Sequence, residues 1–155
     1  MKRRLFLRKT LGASALLLVG GAGALKSLVA HALEWPAALF ELENEPDLVK
    51  DMFGDAEITE SSDVVIKAPL QAENGAVVPI KVSTTLPDTK SITIVVEKNP
   101  VPLISSINLS DSTGGFYSAR IKMGETSNVT AFVNAGDKVY KASQEIKVTV
   151  GGCGG

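Results

Sequence analysis

The chain of 155 residues has one cysteine, one histidine and one tryptophan, and only 5% of it is aromatic. With Cys153 alone, no disulfide can close within the chain. With His31 alone, and that near the N-terminus, a Cys/His or Ser/His catalytic pair has no second member in the body of the protein. Zinc sites and haem attachment lack ligands for the same reason. Long apolar runs are also missing. The longest stretch of small apolar residues, Leu11 to Ala24, is shorter than the ~20 residues a membrane span needs and is rich in Gly and Ala. Charge looks balanced, with 16 basic against 17 acidic side chains, but the two signs are unevenly distributed.

Six of the basic residues (Lys2, Arg3, Arg4, Arg8, Lys9 and Lys26) lie within the first 32 residues, where there is no carboxylate. A charged head followed by a short apolar body is the layout of a secretory signal peptide. The pair Arg3-Arg4 with Phe6-Leu7 behind it resembles a twin-arginine signal, although Lys2 stands where that pattern prefers Ser or Thr. Ala30-His31-Ala32 offers a small-x-small cleavage site and Ala22-Gly23-Ala24 a second one. Residues 1–32 are therefore expected to be removed on export to the periplasm, leaving no stable membrane anchor. The mature chain then holds ten basic against seventeen acidic side chains, a net charge near −7, and no histidine. A domain of that sign is a poor fit to nucleic acid.

About 120 residues remain, enough for one domain with a modest core. Residues 33–63 carry ten Asp/Glu against the single Lys50. Leu39, Phe40, Leu48, Val49, Met52 and Phe53 recur there at helical spacing, Pro36 and Pro46 suit first-turn positions, and Gly54 stops the second run. One or two short amphipathic helices are expected, packing over the end of the domain or onto a partner. A solvated acidic arm is the alternative.

From residue 64 to 150 the pattern changes to short β-rich runs. These are Val64–Ala68, Val77–Thr85, Ser91–Glu97, Leu103–Leu109, Phe116–Met123, Asn128–Asn134 and Lys138–Val150. Turn residues divide them, among them Glu73-Asn74-Gly75, Pro87-Asp88, Asn99-Pro100 and Ala135-Gly136-Asp137. Seven strands at regular spacing with no helix between them predict an all-β, immunoglobulin-like antiparallel sandwich. In the last run Ile146, Val148 and Val150 alternate with Lys147 and Thr149, so one face is buried and the register is fixed.

Residues 151–155 read Gly151-Gly152-Cys153-Gly154-Gly155. A thiol between glycine pairs has no neighbouring side chain to shield it, and three extended residues beyond Val150 give a reach of roughly 10 Å. A frayed tail that happens to hold a cysteine is the plain reading. Against it, an unpaired thiol in an oxidising compartment is a liability that proteins seldom keep without use. The nearest cation in sequence is Lys147, six residues away. A thiol near pKa ~8.5 is only a few per cent thiolate at neutral pH, so Cys153 alone would be a poor catalyst and would need activation inside another protein.

The terminal Gly-Gly-Cys-Gly-Gly is similar to that of the SoxY family, the sulfur-carrier subunits of the periplasmic thiosulfate-oxidising Sox system. Ala72-Glu73-Asn74-Gly75 followed by Val78-Pro79-Ile80 resembles one family segment, and Glu97-Lys98-Asn99-Pro100-Val101-Pro102 another. The resemblance covers about residues 53 to 155 and includes the export signal. It implies that Cys153 is the covalent attachment point for sulfur, with Gly151, Gly152, Gly154 and Gly155 supplying the freedom of a swinging arm. It implies as partners a SoxZ-like immunoglobulin-fold subunit in a heterodimer, a cytochrome complex that couples thiosulfate to the thiol, a hydrolase that releases sulfate and a sulfur dehydrogenase. No cofactor and no catalysis by the chain itself are implied.

Other readings explain less. Gly154-Gly155 also resembles the di-glycine end of ubiquitin-like sulfur carriers, but those are activated with ATP in the cytosol and their fold has an internal helix. A prenylation box needs the cysteine fourth from the end, and Cys153 is third. An immunoglobulin-like binding or structural module with an intermolecular disulfide through Cys153 accounts for the thiol but not for glycines on both sides of it.

Overall fold

The structure, a computed structural model, describes residues 36–110 and 113–149. The segment 1–32, with Arg3 and Arg4, and the terminal residues 151–155 lie outside the described residues.

The acidic segment folds as its apolar spacing predicts. A 3₁₀ turn at Ala37–Phe40 leads to helix α1, Glu45–Phe53. Asn44 caps α1 by accepting the Asp47 N–H at 2.9 Å, one of the donors a helix start leaves unpaired. Pro46 occupies the first turn, where no N–H is required. Gly54, at φ +58°, ends the helix and donates its N–H to the Lys50 carbonyl.

Nine strands follow among the described residues: β1 Ile58–Glu60, β2 Val64–Lys67, β3 Gln71–Ala72, β4 Val78–Thr84, β5 Thr89–Val96, β6 Leu103–Asn108, β7 Phe116–Ile121, β8 Ser127–Ala135 and β9 Lys138–Val148. They form two sheets. The larger has the order β1-β9-β8-β5-β6 with β3 added beside β9, and the smaller is β2-β4-β7. The seven expected strands are all present and pair antiparallel. β1 and β3 are additional, and both run parallel to β9, so the sandwich is not purely antiparallel. Strands of three and two residues are too short to show alternation, which is why the sequence did not mark them. β1 also brings a strand into the segment expected to be helical.

The space between the sheets is filled by alternate residues of both. Val78, Ile80 and Val82 of β4 meet Ile92, Ile94 and Val96 of β5, Val129, Ala131 and Val133 of β8, and Ile146 of β9. The opposite face of the larger sheet is also covered. Val95, Leu103, Phe132 and Val139 pack against Leu48, with Leu39, Phe40, Val49, Met52 and Phe53 around them. The Phe53 and Phe132 rings lie 5.3 Å apart at 39°, a tilted aromatic contact. α1 therefore covers the outer face of the larger sheet, not the end of the domain, and is no solvated arm. Central strands β5 and β8 are consequently buried on both sides.

Candidate functional site

β9 is the longest strand, and its final residues are fixed from two directions. On one side it pairs with the whole of β8, from Ala135↔Lys138 to Ser127↔Ile146. On the other, β3 aligns Gln71 with Lys147 and Ala72 with Val148. The Lys147 N–H donates to the Leu70 carbonyl at 3.0 Å, and the Thr149 N–H to the Ala72 carbonyl at 3.1 Å. The Thr149 hydroxyl reaches the same carbonyl at 3.3 Å. From the β8 side the Thr126 hydroxyl accepts the Val148 N–H at 3.0 Å. Ile146 is fully buried and Val148 packs on the core, so the strand cannot slip without exposing them. Thr149, the last described residue, is thus still held, and Cys153 follows four residues later. Four residues span at most ~14 Å.

Two loops brace this end of the sandwich, and both lie in segments that the sequence singled out. In Glu73-Asn74-Gly75, the Asn74 carboxamide oxygen accepts the Ala76 N–H at 2.9 Å, a side-chain turn. Gly75 accepts the Met123 N–H on its carbonyl at 2.7 Å. A methyl group on Gly75 would overlap the Met123 carbonyl and sit 2.9 Å from the Val148 side chain. Only glycine lets the backbone come this close. In Glu97–Pro102, Asn99 donates its amide to the Lys122 carbonyl at 2.8 Å and accepts the Gly124 N–H at 3.0 Å. The Lys98 N–H donates to the Ser127 hydroxyl at 3.0 Å. One amide side chain thereby clips the loop between β7 and β8 to the loop between β5 and β6. Nothing in the sequence placed Gly75 against Val148 or Asn99 against Lys122, because both contacts join distant segments. The Asn-Gly and Asn-Pro turn signals were the visible trace.

The described residues offer no competing chemical centre of an obvious kind. No group of three or more His, Cys, Asp or Glu side chains among them could hold a metal ion. No helix among them is long and apolar enough to cross a membrane. A groove of about 480 Å³ lies between the start of α1 and the larger sheet, lined by Glu43, Glu45, Val49, Glu97, Phe132 and Lys141 among others. Partial burial, reinforced by the Glu97 carboxylate and opposed by Lys141, raises the Glu45 carboxyl above its usual range. The sequence-predicted residues Cys153, Gly151, Gly152, Gly154, Gly155, Arg3 and Arg4 all lie outside the described residues, so what the structure displays is the strand that leads toward Cys153.

An immunoglobulin-like sandwich whose last described strand is held to its final residues, with a single cysteine four residues past Thr149 in the sequence, defines a class: a two-sheet domain followed closely by a lone thiol. Comparison with known proteins narrows it. The family described as sulfur oxidation protein SoxY matches residues 49–153. The solved structure of the sulfur carrier protein SoxY from Chlorobium limicola f. thiosulfatophilum is 38% identical, with a TM-score of 0.63 over 68% of this chain and 96% of its own. The chain belongs to the SoxY family. A superoxide reductase (neelaredoxin) from Ignicoccus hospitalis shares the fold alone, at 17% identity and a TM-score of 0.51 over 67% of this chain and 92% of its own. No curated protein matches.

Proposed function

We propose that this chain is a covalent sulfur carrier in thiosulfate oxidation, with Cys153 as the attachment point. The observation that carries the reading is the lone thiol placed four residues beyond a strand that is hydrogen-bonded through Thr149. Family membership and the Chlorobium carrier support sulfur as the cargo.

The carrier works through thiol chemistry that partners complete. Thiosulfate couples to the Cys153 thiol, forming one S–S bond and releasing a proton and two electrons to a cytochrome complex, which leaves a cysteine S-thiosulfonate. A hydrolase then adds water across the terminal S–S bond, giving sulfate and a proton and leaving a persulfide. That sulfur is oxidised further by a sulfur dehydrogenase or passed on, and the thiol returns. Thiosulfate is small, anionic and diffusible, so a covalent tether keeps it in hand through successive steps. Gly151, Gly152, Gly154 and Gly155 add no side chains to the arm, so it can enter narrow channels of unrelated enzymes. In this reading residues 1–32, led by Arg3-Arg4, export the protein to the periplasm. The sandwich then works there beside a SoxZ-like subunit as a heterodimer, and catalyses nothing alone.

Intact-mass measurement on protein purified from thiosulfate-grown cells should show sulfur-containing adducts at Cys153 that a reductant removes. Cys153→Ser should abolish thiosulfate-dependent cytochrome reduction in a reconstituted system while leaving the melting temperature unchanged. A stoichiometric disulfide from Cys153 to one fixed partner, or full activity of Cys153→Ser, would replace this reading with that of a binding module.

A further inference from the structure

The outer face of the smaller sheet is built differently from the rest of the molecule. Its rows, read across β2, β4 and β7, are Val65–Ser83–Phe116, then Lys67–Lys81–Ser118, then Pro79–Arg120. Lys122 follows directly after β7. Val65 is 41% exposed, Phe116 54% and Val77, just before β4, 52%. None of the three strands contains an Asp or Glu. The two ion pairs found among the described residues, Lys138–Glu57 and Lys141–Glu60, both belong to the larger sheet and its margin. Lys67, Lys81, Arg120 and Lys122 therefore present four of the mature chain's ten cations on one face, with no carboxylate paired to them there.

Two features show that this is more than solvation. Lys67 and Lys81 stand directly opposite each other on neighbouring strands, an arrangement that repels and that nothing on the strands relieves. On the far side of the sandwich, Glu41, Glu43, Glu45, Asp47 and Asp51 form an acidic block in the helical layer on the larger sheet, while Asp63, Glu73 and Glu125 lie in loops at the margins of the smaller one. One face thus carries a block of positive charge and the opposite face a block of negative charge. Such a dipole turns the basic face toward a negative partner during approach, even though the net charge is negative.

The basic face also connects to the end of β9. Lys122 precedes Met123, whose N–H donates to Gly75, and Gly75 abuts Val148 at the end of β9. We propose, resting on the carrier reading above, that this face docks against an acidic protein surface surrounding the channel that receives Cys153. The face is a field of charge with apolar residues at both ends (Val65 and Phe116, then Val77), which fits a protein surface. A lipid surface would offer no channel for an arm, and a small anion would need an enclosing pocket, and none of Lys67, Lys81, Arg120 and Lys122 lines the groove described above.

The test adds purified mature protein to a periplasmic extract from a strain lacking the chain and follows thiosulfate-dependent cytochrome reduction. For the wild type the rate should fall steeply as NaCl rises from about 20 to about 200 mM, because charge attraction is screened over a few ångströms to ~10 Å. The variant Lys67→Glu/Lys81→Glu/Arg120→Glu should be roughly 10-fold slower at low salt and nearly indifferent to salt. Its Cys153 should react with a thiol reagent at the wild-type rate. Lys67→Gln/Lys81→Gln, which removes the repulsion as well as the charge, should keep the fold and show a smaller loss in the same direction. Equal rates for wild type and both variants at every salt concentration would overturn the docking face while Cys153→Ser, run beside them, stayed inactive. Retention of wild type but not the variant on phosphatidylglycerol vesicles, with unaltered rates in extract, would assign the face to a membrane and overturn the proposal. Activity of Cys153→Ser, or none from the wild type, would strike the carrier reading instead.

Discussion

At the scale of single residues, the thiol was the easiest feature to read and its supports the hardest. Cys153 stood out because no other cysteine competes with it and because glycines flank it. Gly75 and Asn99 were visible only as turn residues, since their partners Met123, Val148 and Lys122 lie 23 to 73 positions away. Gly75→Ala is expected to destabilise by ~1–3 kcal/mol, the usual range for forcing a methyl into a packed site, and to lower the melting temperature by several degrees. An unchanged melting temperature would show that the loop can move aside and that the arm root is softer than its contacts suggest. Glu45 makes a separate prediction about pH. Folding raises its pKa, mainly by burial and then by Glu97, so the folded protein holds that proton more tightly than the unfolded chain. The associated stability is present at low pH and is lost as pH rises through the raised value. Glu45→Gln should therefore melt on the order of 1–2 °C above wild type at pH 7, and the two should converge near pH 4. A gap independent of pH would mean that Glu45 matters through its contacts with the groove and not through its charge.

At the scale of elements, local pattern was enough wherever one side of a segment is buried and the other wet. The alternation Val78, Ile80, Val82 against Pro79, Lys81, Ser83 reads directly as a half-exposed strand, and so it is. β8 was harder: Val129 to Val133 is apolar but for Thr130, which marks burial on both faces but not what covers the second. The cover is α1, and its sequence gave the apolar stripe without saying where the stripe would dock. β3 was illegible because two residues cannot carry a period, yet it is one of the two strands that hold the end of β9. The clamp explains why the arm and the domain should be separable in function. On the carrier reading, Gly152→Val with Gly154→Val adds bulk beside the thiol without touching β9 or its partners. Thiosulfate-dependent turnover should slow while the melting temperature holds. If the melting temperature fell by several degrees as well, the tail would be part of the packing and the carrier reading's division between domain and tail would be wrong.

At the scale of the whole molecule, two apolar layers share the larger sheet, and they are unequal. The inter-sheet layer draws on both sheets, with Ile80, Ile92, Ile94, Val129 and Ile146 at its centre. The outer layer rests on one helix of nine residues and the 3₁₀ turn before it. A helix that short has little stability of its own in water, so α1 persists because Leu48, fully buried, sits against Val95, Leu103, Phe132 and Val139. The two layers should therefore open at different free energies. Leu48→Ala removes the centre of the weaker layer at a cost of ~2–5 kcal/mol to the contacts around it. Native-state hydrogen exchange on that variant should show amides of α1 losing most of their protection, while Ile92–Val96 and Val129–Val133 remain the slowest in the protein. Because α1 lies on the side away from the basic face, thiosulfate-dependent turnover should be kept where the variant is still folded. Loss of protection in α1 and β8 in equal measure would instead mean that the domain unfolds as one unit and that the helical layer is integral to the sandwich.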